Sequence, residues 1–183
     1  MRCSPLVCLG KSRYYVVDVR LTNPNNICIS CNEVYLLVLK SVIEEKNIKK
    51  VLKRWKEENV ENTENAEIIQ VINDVFSSEE NLRKVDGKDK GWAPHALYVA
   101  LYCLLNTKTF NEGIDRAILF GGDTDTNAAI TGAFIGAKYG YSLISTSKRQ
   151  MKNISILKRV NVNINDIDDI AEKLSLMFDK HRR

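Results

Sequence analysis

Residues 121–140 read GGDTDTNAAITGAFIGAKYG. An apolar helix end precedes them (Ala117, Ile118, Leu119, Phe120), and a run of small residues follows. The stretch opens with features that cost stability. Gly121 and Gly122 loosen the backbone and weaken neighbouring helix. Asp123 and Asp125, two positions apart, repel each other when close. Both costs have a reason if a hard cation sits between the carboxylates, with the Thr126 hydroxyl as a third oxygen. Oxygen-only ligation suits Mg²⁺, Mn²⁺ or Ca²⁺ rather than zinc. The loop lacks the closing glutamate of an EF-hand and the Gly-Lys-Ser/Thr of a Walker A loop. The competing reading is structural. Asp125 or Thr126 caps a helix running to Tyr139, and the acidic start complements its dipole. One aspartate is enough for a cap, which leaves the second and the double glycine unexplained. Gly140 stops the helix. Ala128, Gly132 and Gly136 recur at every fourth position, beside Ala129, Ala133 and Ala137. Such a face lets another helix backbone approach closely, so this helix is expected to be central and buried.

Working outward, helical periodicity dominates and strand signals are few. A helix from Ser30 into 41–46 carries Val34, Leu37, Val38 and Leu39. Ile48 to Glu58 puts Val51, Leu52 and Trp55 on one face. Lys49, Lys50, Lys53, Arg54 and Lys56 lie on the other, and Glu57 and Glu58 follow at once, as on a solvated amphipathic face. Ala66 to Phe76 carries Ile68, Ile69, Ile72 and Val75. Residues 77–91 are polar with two glycines and read as a loop, the usual home of functional groups. Pro94 opens a helix to Asn106, with Leu97, Ala100, Leu101 and Leu104 at i, i+3, i+4 and i+7. Thr109 and Glu112 form a capping box for a helix ending near Phe120. A short stretch over 160–165 precedes a last helix, Ile167 to Phe178. The fold class is all-α.

At 183 residues the chain has the size of one ordinary domain, 1–183, able to bury a core. With 44% hydrophobic and 27% charged residues it is globular, not disordered, collagenous or a coiled coil. The net charge is +4, but 27 cations are interleaved with 23 anions, so the balance makes no argument for nucleic acid. Asparagine is abundant without forming a tract, which reads as compositional bias. The five cysteines are odd in number and follow no secretory signal, so free thiols in a reducing cytoplasm are expected. Cys28 and Cys31 form a lone C-x-x-C with no second pair for zinc, and they read as core thiols on one helix face. The apolar start after Met1-Arg2 is broken by Pro5 and Gly10. No stretch approaches the roughly 20 apolar residues of a membrane span.

GGDTDTNAAITGAFIGAKYG resembles the C-terminal signature of the ADP-ribosylglycohydrolase family. The resemblance extends back through Gly91-Trp92, the Leu97 to Leu105 helix and the Phe110 to Phe120 helix. It reaches Met1-Arg2-Cys3-Ser4-Pro5-Leu6, similar to the family's "NG–x–x–MR–x–x–PL" segment without its front, and it covers the tail from Tyr139 to Phe178 loosely.

The resemblance implies a compact all-α helical bundle with a two-magnesium site, where Mn²⁺ is an alternative metal. The reaction implied is hydrolysis of the bond between ADP-ribose and an acceptor. The substrate would be an ADP-ribosylated protein or an ADP-ribose-containing small molecule. Asp123, Asp125 and Thr126 match the C-terminal half of the metal ligands. Arg2 matches a loop along the bound ADP-ribose, and Trp92 matches the pocket lining near the ribose, although a core tryptophan at a helix entrance would look the same. Where the family usually has Thr-His, this chain has Thr22-Asn23, and Asn23 hydrogen-bonds without titrating near neutrality. The family's N-terminal Thr-Asp-Asp cluster has no counterpart in this chain. Asp168-Asp169 reads instead as the dipole-favoured start of the last helix. The expectation is therefore an incomplete, N-terminally truncated domain, with a second polypeptide supplying the missing ligands or with hydrolysis lost. The rival is a non-catalytic ADP-ribose-binding or structural protein on the same fold. His95, in a first turn, reads as a cap or surface residue, and His181 as part of a frayed tail.

Overall fold

The computed structural model describes residues 2–9, 13–144 and 163–182, and all regular structure within them is helical. After a short 3₁₀ segment (Ser4–Leu9) come α1 (Arg13–Arg20), α2 (Asn26–Ile43), α3 (Ile48–Asn59) and α4 (Ala66–Val75). Then follow α5 (Ala93–Asn106), α6 (Phe110–Leu119), α7 (Thr124–Tyr139) and, at the C-terminal end, α8 (Ile164–Arg182).

Two helices organise the bundle. α2 packs against α1, α3, α5 and α7, and α5 packs against α2, α4, α6 and α7. Their apolar faces meet in a core that includes Val34, Val38, Leu52, Ile72, Leu101, Leu104 and Phe134, all fully buried. Each such side chain contributes about 1.5–3 kcal/mol through burial. The α5 quartet Leu97, Ala100, Leu101 and Leu104 is buried as its spacing requires. α2 is, by length and composition, apolar enough to cross a membrane, contrary to the reading of the bare sequence. Its place at the centre of the bundle is that of a core helix.

Asparagine does positional work here, beyond the compositional bias it suggests. Asn25 Oδ1 accepts from the Cys28 N–H, Asn47 Oδ1 from Lys50 and Asn62 Oδ1 from Glu64, so three helix starts carry asparagine caps. Asn65 is buried; it accepts from Ser30 Oγ at 2.6 Å and donates to Asn59 Oδ1 at 2.8 Å, tying α2 to the α3–α4 junction.

Several expectations need correction. α1 has no clear signal in the sequence, because Tyr14, Tyr15, Val16 and Val17 favour strands. α7 begins at Thr124, with Asp123 at the cap position rather than Asp125 or Thr126. Its buried face is Asn127, Thr131, Phe134 and Ile135, not the small-residue stripe. Gly132 and Gly136 face Ile114 and Phe110 of α6 at ordinary contact distance. The tight approach comes from α6 instead, where a Cβ on Gly113 would fall 2.7 Å from Ile135 Cδ1. α8 begins at Ile164 and runs on through 181, so Asp168 and Asp169 lie beyond its first turn, where the dipole argument fades. Of the 160–165 stretch, 160–162 lie outside the described residues, as does the His181 side chain.

Candidate functional site

The loop between α6 and α7 is built on two left-handed glycines, Gly121 at φ 78° and Gly122 at φ 69°. A Cβ on Gly122 would overlap the Val85 carbonyl oxygen. The double glycine therefore has a structural reason that the sequence does not show: it seats the extended segment after α4 against the start of α7. That contact fixes Asp123, whose Oδ2 lies 3.9 Å from where a Cβ on Gly91 would stand.

Asp123 occupies the cap position of α7, but its side chain makes no capping hydrogen bond. Its carboxyl instead lies beside that of Asp125. That contact, followed by the backbone N–H groups of Thr126 and Asp125, holds the Asp125 carboxyl below the ordinary aspartate range. Two neighbouring carboxylates repel each other, and a divalent cation between them would relieve that repulsion. Asp123, Asp125 and Thr126, at the start of α7, carry hard oxygens of the kind that magnesium takes. Among the described residues, no group of three or more His, Cys, Asp or Glu side chains is placed to hold a metal.

A cavity of about 610 Å³ opens beside this loop. Its lining brings together Arg2, Asn23, Trp92 and Thr126, residues spread over most of the sequence. The turn before the 3₁₀ segment brings Arg2, the α1–α2 turn brings Asn23, the start of α5 brings Trp92 and the start of α7 brings Thr126. Trp92 is half-buried on the wall rather than sealed in the core. Asp123 abuts Gly91, itself part of the lining.

Other residues of the cleft carry no mark in the sequence. Asp18 lines it and pins Arg2: the Arg2 Nε donates to Asp18 Oδ1 at 2.8 Å, and Nη2 donates to the Asp18 carbonyl and to Thr22 Oγ1. The Asn23 N–H donates to the Val19 carbonyl at 2.8 Å, closing α1 and fixing the turn. Tyr35, also in the lining, stacks on Phe134 at 4.7 Å and shares a hydrogen bond with Ser4 Oγ. Burial pushes its phenol up to about 12, so it is neutral near physiological pH. Periodicity could not flag Asp18 or Tyr35, because each looks like an ordinary residue of its helix.

The cysteines are free. Cys31 is buried and its thiol is raised by burial, in keeping with a core role; burial also pushes Cys103 up to about 12. Cys28 departs from the core reading: it is half-exposed in the cleft lining. His95 departs from its reading as well. It is buried, and its Nδ1 accepts from Arg83 Nε at 3.2 Å. Burial and the adjacent Arg83 charge lower its pKa. On α3 the basic face is laced with acids, including Arg54–Glu58 at 2.7 Å and Lys53–Glu57 at 3.9 Å.

The family model described as ADP-ribosylglycohydrolase matches residues 1–183. A protein of Acanthamoeba polyphaga mimivirus, named as an ADP-ribosyl glycohydrolase, is 33% identical over 66 residues. That match covers 36% of this chain and 20% of the viral protein. No solved structure matches the chain.

Proposed function

The chain belongs to the ADP-ribosylglycohydrolase family, and on that premise we propose that its cleft binds an ADP-ribosyl group and that its α7 loop serves magnesium-dependent hydrolysis of the glycosidic bond. One observation carries this reading. Arg2, Asn23, Trp92 and Thr126, distant in sequence, line one cavity of about 610 Å³. Asp123 stands at its edge with a carboxyl that no cap uses.

Asp123, Asp125 and Thr126 would hold the magnesium, or manganese in its place. A metal held there would supply Lewis acidity for the sugar oxygens and for an attacking water. The chain's own residues do the rest. Arg2, held by Asp18 along one edge of its guanidinium, directs positive charge toward a diphosphate. Asn23 offers an amide donor and acceptor to sugar hydroxyls. Trp92 gives a planar apolar surface that excludes water. Tyr35 stays a neutral phenol, adding no negative charge near the anionic ligand. The substrate is an ADP-ribosylated protein or an ADP-ribose-containing small molecule.

The test is release of ADP-ribose from an ADP-ribosylated protein by the full chain with Mg²⁺. Release should fall to background with Asp123→Ala, with Asp125→Ala and on chelation. Release that neither substitution reduces would overturn the metal assignment.

A second reading, non-catalytic ADP-ribose binding, is favoured by one observation: among the described residues only two carboxylates meet at the loop. Calorimetric ADP-ribose binding without release would select it.

A further inference from the structure

Behind the Trp92 wall lies a charged cluster that the proposed chemistry does not use. Arg83 turns inward from the α4–α5 loop, with its side chain only 13% exposed. Its guanidinium pairs with Glu67 and, at 3.1 Å, with Asp74, both on α4. Its Nε donates to His95 Nδ1, and its Cζ lies 5.6 Å from the centre of the Trp92 ring. The His95 ring stands edge-on to Trp92, 5.3 Å away at 86°. The Trp92 backbone is held too: its N–H donates to the Asp89 carbonyl, and its own carbonyl accepts from the His95 N–H, each at 2.9 Å.

This is an expensive way to back a wall. A guanidinium buried to this degree with two carboxylates loses much of its hydration, and an apolar residue of similar volume would fill the space at lower cost. What an apolar filler would not supply is orientation. The planar cation on the ring and the imidazole at its edge restrict the indole in two directions.

We propose that Arg83 and His95 are positioning residues for Trp92, holding its ring in the orientation that receives the ADP-ribosyl group. The proposal rests on the reading of the cleft given above. Its effect comes through preorganisation: a tryptophan already ordered in the free protein need not be ordered on binding. Losing that advantage should weaken binding about 3- to 10-fold, the equivalent of immobilising one side chain.

The test uses the full chain carrying Trp55→Phe, so that emission comes from Trp92 alone. Three variants are compared: His95→Leu, His95→Asn, which keeps an acceptor near Nδ1, and Arg83→Lys, which keeps the charge without the planar fork. Time-resolved anisotropy without ligand reads the mobility of Trp92, and calorimetry with ADP-ribose reads affinity. The expected result is a looser Trp92 and 3- to 10-fold weaker binding in His95→Leu and Arg83→Lys, with both largely restored in His95→Asn. Should the substrate be hydrolysed, KM should rise while kcat holds. Anisotropy unchanged in both His95→Leu and Arg83→Lys overturns the proposal whatever the ligand. A looser Trp92 with unchanged affinity overturns it too. Wild-type chain that binds no ADP-ribose, with Trp92 still loosened by the variants, overturns the reading of the cleft and the ligand named here.

Discussion

α6 and α7 are consecutive helices, and each opens on a short polar segment, yet their starts are built for different ends. At α6, Thr109 Oγ1 accepts from the Glu112 N–H at 3.1 Å, and Glu112 Oε2 accepts from the Lys108 N–H at 2.7 Å. The box closes one residue earlier than its simplest form, but both side chains are committed to the helix. At α7, Asp123 holds the cap position without a capping hydrogen bond, and its carboxyl faces Asp125. One start maximises stability, and the other keeps oxygen donors available beside a cavity. The difference separates a threonine committed to its helix from aspartates that leave their carboxyls out of the cap, although the sequence presents them in similar settings.

The sharpest way to break the comparison is to remove the donors. Asp123→Ala and Asp125→Ala should abolish magnesium-dependent ADP-ribose release while costing about 1 kcal/mol or less in denaturant unfolding, since only dipole interactions and, for Asp125, exposed local backbone hydrogen bonds are lost. Next is the loop's footing. Gly122→Ala should cost about 2–4 kcal/mol, from the left-handed backbone and the overlap with the Val85 carbonyl, and should lower activity by displacing Asp123. Thr109→Ala should cost about 1 kcal/mol in the same assay and leave release unchanged.

The smallest effect is a pH dependence. The folded pKa of His95 is lowered by burial and Arg83, so the unfolded chain takes up a proton first as pH falls. The stability that depends on neutral His95 is therefore present above about pH 6.5 and declines as pH drops below it. Thermal melts from pH 7.5 to 5.5 should show a shallower decline in His95→Gln than in the wild type. Equal slopes would show that His95 does not carry the effect.

What could be read from the sequence followed from locality. The α5 quartet, the Thr109 cap and the stop at Gly140, with φ 76°, each depend on neighbours within about one helical turn or two. The proposed ligands Asp123, Asp125 and Thr126 stand out for the same reason, because they fall within four residues. α1 was hidden because tertiary packing overrode the strand preference of its tyrosines and valines. The second role of the glycines was hidden because it depends on Val85, far back in the chain. The cluster behind Trp92 gathers Glu67, Asp74, Arg83 and His95 from two helices and a loop, and no periodicity announces such a meeting. His95 looked like a surface residue because its position after Pro94 says nothing about what packs over it.

The central claim is that the start of α7 is reserved for ligand chemistry, and it is tested most directly by Asp123→Asn in the full chain. ADP-ribose release with Mg²⁺ and denaturant unfolding would be measured on the same preparation, with Thr109→Ala alongside. The account predicts that Asp123→Asn unfolds with the wild type and releases no ADP-ribose. Wild-type release by Asp123→Asn would contradict it, because asparagine keeps a helix cap but removes the carboxylate.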